Sequence, residues 1–135
     1  MTYVKRALVI ATAMTVGIAT AGYAEDGKIL SATEITEMVS GNTLSGVFGE
    51  KNTRYAQRNH ANGIAVIHVA GSPIRLAPWF VKEPDTYCED WDKDGVLCYQ
   101  IVQDASSGER RFVYSDGSSS PVVKVQEGFH PISLE

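Results

Sequence analysis

From Asn42 to the C-terminus, apolar and polar residues alternate in short runs, and turn-forming residues interrupt them about every 8–12 positions. A period of two marks β-strands that turn one face toward a core. The runs predict strands over Thr43–Glu50, Thr53–Arg58, Ile64–Ala70, Ile74–Lys82, Thr86–Glu89, Val96–Gln103, Arg110–Tyr114 and Val122–Glu127. Between them stand the breakers Asn62-Gly63, Gly71-Ser72-Pro73, Glu83-Pro84-Asp85, Asp94-Gly95, Ser106-Ser107-Gly108 and Asp116-Gly117-Ser118. Connections this short join antiparallel neighbours, and no segment is long enough for a parallel crossover. Within Val96–Gln103, Leu97, Tyr99 and Ile101 share one face, and Val96, Cys98, Gln100 and Val102 the other. Within Ile64–Ala70, Ile64, Val66 and His68 oppose Ala65, Ile67 and Val69. Both faces are apolar enough to expect partial cover on the outside by a helix or the tail. Pro78 has no N–H to donate and predicts a bend or an edge position.

Ahead of the strands the period changes. Ile35, Met38 and Val39 fall on one helical face, Ser31 and Glu34 form a capping box, and Leu30 and Ile35 sit as a hydrophobic staple. Gly41 follows as a left-handed stop, so a helix of about nine residues is expected over 31–40. Residues Glu25 to Ile29 read as a loose leader. One short helix cannot cover eight flat strands. The expected fold is therefore mainly β, a curled antiparallel meander or small lipocalin-like barrel, because curling buries one face and removes exposed edges.

The first 24 residues follow neither period. Lys5-Arg6 precede an uncharged stretch from Ala7 to Ala21, and small residues at Gly22 and Ala24 stand before Glu25-Asp26. This order is that of a secretory signal peptide over 1–24, cut after Ala24, with Ala21 as the alternative. The apolar stretch of about 15 residues is short of the roughly 20 that a membrane span needs. The expectation is a single exported β-rich domain over 25–135, periplasmic or secreted, with no membrane span after cleavage; an uncleaved anchor is the rival.

Removing 1–24 from the 135-residue chain leaves 10 basic against 16 acidic residues, a net charge of −6. That balance argues against nucleic acid or anionic membrane as a partner. Cys88 and Cys98 are the only cysteines, and in an exported chain they read as one structural disulfide. Asp92-Lys93-Asp94-Gly95 between them suits a type I turn, which would bring the two cysteines opposite or one residue out of register.

Candidate chemistry is sparse. Asp90-Trp91-Asp92-Lys93-Asp94-Gly95 resembles half a calcium loop, but its twelfth position is Ile101 and strands flank it, so an acidic hairpin turn is the better reading. His60, His68 and His130 share no metal-ligand spacing, and no cofactor or metal is expected. Glu89 and Asp90 are adjacent and would point to opposite faces, so they form no carboxylate pair. No nucleophile-and-base set stands out, so an enzyme is not expected. The aromatic residues are concentrated on the strands. Most would pack the core, and Trp79, Tyr87 and Tyr99 are the candidates for lining an apolar ligand pocket.

The run Ser40-Gly41-Asn42-Thr43-Leu44-Ser45-Gly46, then Pro78-Trp79, Tyr87-Cys88-x-x-Trp91 and Gly95-x-x-Cys98-Tyr99, resembles the small exported bacterial proteins of domain-of-unknown-function family 995 over about residues 31–103. The resemblance implies an exported β-rich domain and carries no activity. Together these features point to a non-catalytic binding module for a small apolar molecule or an envelope component. The alternative is a protein–protein module, such as an inhibitor of a lytic enzyme.

Overall fold

The computed structural model describes residues 27–121 and 123–134. The signal peptide expected over 1–24 lies outside them. Nine antiparallel strands form one curled half-barrel sheet, accompanied by one α-helix. In chain order these are β1 (Gly27–Ile29), α1 (Ala32–Val39), β2 (Thr43–Phe48), β3 (Thr53–Asn59), β4 (Ile64–Val69), β5 (Arg75–Lys82), β6 (Thr86–Asp90), β7 (Val96–Asp104), β8 (Arg110–Val113) and β9 (Lys124–Gln126). From β2 to β8 each strand pairs with the next, as short hairpin connections require. The last strand then returns to β2, pairing Leu44 with Val125, while Val123 bridges Arg110 beside β8. The segment before β9 thus runs back against β8.

Two expectations are corrected. Residues 27–29 are a strand, not part of a loose leader: β1 pairs with Val102–Asp104 of β7. The partner β6 occupies the same strand only over Val96–Tyr99, so the backbone groups beyond it need another neighbour. Three residues are too few to display a period. The last run is also shorter than expected, with β9 confined to Lys124–Gln126, and Val122 lies outside the described residues.

Pro78 marks a change of partner. Arg75–Pro78 pair with β4 and Trp79–Lys82 pair with β6, so the residue without an N–H stands where one ladder gives way to the next. In α1, the Ser31 hydroxyl accepts from the Glu34 N–H at 3.2 Å, and the Glu34 carboxylate accepts from the Ser31 N–H at 2.8 Å. Leu30, Ile35, Met38 and Val39 are buried with Leu44, Ala65, Ala77, Tyr87 and Ile101 in one cluster. The helix therefore fills one end of the concave face. The tail covers part of the outer face of β3 and β4: Ile132 is buried, its carbonyl accepts from His68 Nδ1 at 2.9 Å, and the His130 carbonyl accepts from Arg58 Nε at 2.7 Å.

Candidate functional site

At the end of the half-barrel away from α1, side chains of six strands or their ends surround an open pocket of about 310 Å³. Alternation along each strand places them. Tyr55 and Gln57 come from β3, Ile67 and Val69 from β4, and Leu97 and Tyr99 from β7. Phe112 of β8 and Tyr114 just beyond it close one wall, and Phe48 at the end of β2 the other. The Tyr99 ring meets Tyr114 edge-on at 5.1 Å and lies 5.2 Å from Phe112, a continuous aromatic surface.

One carboxylate interrupts the apolar lining. Glu89 is only 4% exposed, yet it reaches the pocket from β6. Its Oε1 accepts from Tyr87 Oη at 2.7 Å and from Gln57 Nε2 at 2.9 Å, and its Oε2 accepts from Trp91 Nε1 at 3.1 Å. Tyr87 Oη in turn receives Asn59 Nδ2 at 2.8 Å. Burial pushes the Glu89 carboxyl above its ordinary range, and the three donors partly oppose that shift. Tyr55, Tyr87, Tyr99 and Tyr114 are all held above the ordinary tyrosine value, chiefly by desolvation. Tyr55 Oη is buried and has no hydrogen-bond partner among the described residues.

The three aromatic candidates from sequence fall in different places. Tyr99 lines the pocket. Tyr87 lies beneath it, fully buried, its ring stacked 6.1 Å from Phe112 and its hydroxyl committed to Glu89. Trp79 belongs to the core, with Nε1 donating to the His60 carbonyl at 2.9 Å, and stands outside the lining. Sequence reasoning missed Glu89 and Gln57, because polar residues on a strand ordinarily read as solvent-facing. The signal was available in Tyr87-x-Glu89-x-Trp91, where alternation sends the acid inward with an indole two residues on.

Away from the pocket, the β6–β7 hairpin holds its own contacts. Cys88 and Cys98 are directly opposite across β6 and β7 and form a disulfide. Trp91–Gly95 closes that hairpin, with the Gly95 N–H donating to the Asp92 carbonyl at 3.0 Å and Gly95 at φ +86°. Two of its acids are engaged locally. Asp90 Oδ1 accepts from the Asp92 N–H at 2.9 Å, and Asp94 pairs with Arg75 at 3.1 Å. The Arg75 guanidinium also rests 4.8 Å from the Trp91 ring centre, steadying that side chain. Among the described residues, no three His, Cys, Asp or Glu side chains are grouped to hold a metal ion. No helix there is long and apolar enough to cross a membrane. The chain matches no protein-family model, no curated protein and no solved structure.

Proposed function

We propose that this chain is an exported, non-catalytic binding module that holds a small, largely apolar molecule at the open end of its half-barrel. The observation that carries this reading is the 310 Å³ pocket, walled by aromatic and aliphatic side chains and floored by one carboxylate. A concave apolar site with few, convergent polar groups is the usual form of a small-molecule site. Export is supported by the basic-apolar-small order of residues 1–24 and by a disulfide, which suits an oxidising compartment. The resemblance to domain-of-unknown-function family 995 agrees with that compartment and names no ligand.

The test is titration with N-phenyl-1-naphthylamine, whose emission rises in apolar surroundings. Saturable binding is expected, and Ile67→Lys, which sets a charge in the wall, is expected to abolish it. Emission that never saturates, or that Ile67→Lys leaves unchanged, would overturn the reading. N-terminal sequencing of the protein recovered from an exporting cell is expected to begin at Glu25.

A protein–protein role has one observation in its favour. On the outer face of β5, Leu76 is 70% exposed and Phe80 40%, beside Ile74 at 57%. Such a row suits contact with another surface.

A further inference from the structure

We propose that the pocket selects organic cations: small molecules that join a protonated amine or quaternary ammonium to an apolar body, with the positive end seated against Glu89. This rests on the reading of the pocket as a ligand site.

The argument begins with the direction of the hydrogen bonds. Asn59 Nδ2 donates to Tyr87 Oη at 2.8 Å, so the tyrosine proton is directed to Glu89 Oε1. The two N–H of Gln57 are shared among Asn59 Oδ1, Tyr87 Oη and Glu89 Oε1, at 2.9, 3.1 and 2.9 Å. An amide N–H of Gln57 and the indole N–H of Trp91 also end on this carboxylate. Neither an amide nor an indole N–H can accept in return, so both demand an acceptor at Glu89. Every neighbour therefore donates, an arrangement complementary to the ionised form.

That negative charge lacks a countercharge. Among the described residues, no Lys, Arg or His lies within ion-pair distance of Glu89. Arg75 comes nearest in the network, through the Trp91 ring, but it stands outside the lining and is paired with Asp94. The titratable groups facing the carboxylate are tyrosines: Tyr55 from β3, Tyr87 from β6, Tyr99 from β7 and Tyr114 after β8. None supplies positive charge. A buried carboxylate in that position costs free energy until a cation arrives.

The walls suit the same guest. Aromatic faces attract cations through their quadrupoles, and Tyr99, Tyr114, Phe112 and Trp91 line the same pocket as Glu89. A neutral apolar molecule would gain the burial but leave the charge uncompensated. An anion would meet Glu89 directly and be repelled.

The probes are phenyltrimethylammonium and its uncharged carbon isostere, tert-butylbenzene, titrated separately against tryptophan emission, since Trp91 lines the site. The wild-type protein is expected to bind the cation at least about tenfold more tightly. Glu89→Gln, which preserves shape and removes charge, is expected to erase that preference while tert-butylbenzene still binds. Equal binding of the two probes, or a preference that survives Glu89→Gln, would overturn the proposal and leave the apolar pocket standing. Binding of neither probe would overturn both. Should Glu89→Gln fail to fold, the wild-type preference provides the second measurement. It is expected to disappear on acidification, and to do so above the ordinary carboxylate range because burial raises the Glu89 carboxyl; its persistence in acid would overturn the proposal.

Discussion

Glu89 occupies a position where the alternation of β6 demands an inward side chain, between buried Tyr87 and the pocket residue Trp91. Burial raises its carboxyl above the ordinary value of 4.5, so between those two values the folded protein holds a proton that the unfolded chain has released. Its contribution to stability is therefore full in acid and is lost as pH rises through the folded value. Asp104 behaves in the opposite sense. Hydrogen bonds from Ser107 and Ser106 hold it down to about 2, so it withdraws stability as pH falls from the ordinary carboxylate range toward that value. Comparing thermal melts of wild type and Glu89→Gln across pH isolates the first effect. The variant's midpoint is expected to gain on the wild type as pH rises, with no gain in acid; parallel curves would contradict it. Gly46 is the other decisive residue. A Cβ there would stand 3.2 Å from the Tyr55 ring and hydroxyl. Gly46→Ala is expected to push that ring toward the pocket, costing about 1 kcal/mol in urea unfolding and weakening N-phenyl-1-naphthylamine binding several-fold. Sequence alone exposed the opposite facing of Glu89 and Asp90. It could not disclose that Gln57 joins Tyr87 and Trp91 on Glu89, because β3 and β6 are separated in the sheet by β4 and β5 and only the curl brings them together.

Elements differed in how readily their residues announced them. The helix α1 was legible because its cap, staple and apolar face agree, and each has a physical counterpart in the fold. Ser31→Ala is expected to cost about 1 kcal/mol, read by chemical denaturation, since it removes the acceptor for the Glu34 N–H. The β6–β7 hairpin was legible from its turn and paired cysteines. Replacing both by serine is expected to lower stability by about 2–3 kcal/mol, the chain-entropy value for a loop of roughly this length. The tail was harder to place. His130–Leu134 has no regular structure, yet its carbonyls receive Arg58, His68 and Arg54. Ile132→Ala is expected to cost about 2 kcal/mol by the same measurement, because its side chain is buried against the outer face. Irregular backbone has no period, so only the apolar character of Ile132 hinted at this anchoring.

At the scale of the molecule, the mainly β architecture followed from the count of short strands and the want of anything to cover them flat. The joining of the last strand to the first few was not legible. Pairing of Leu44 with Val125 spans nearly the whole domain, and no local pattern specifies so distant a partner. Nor could sequence say which end of the curl would be filled. The answer lies in hydrogen bonds at the ends of α1: Ala32 N–H to the Pro84 carbonyl at 2.8 Å, and Gly41 N–H to the Asn59 carbonyl at 2.7 Å. Those bonds hold the helix as a stopper at the end of the curl away from the pocket. If the pocket takes a ligand as proposed, a curl stoppered at one end offers it one mouth, and that ligand would enter and leave by the same route. Whatever narrowed that mouth would then slow loading and unloading together, and exchange with the surroundings would become a matter of what next meets Phe48, Leu97 and Tyr114.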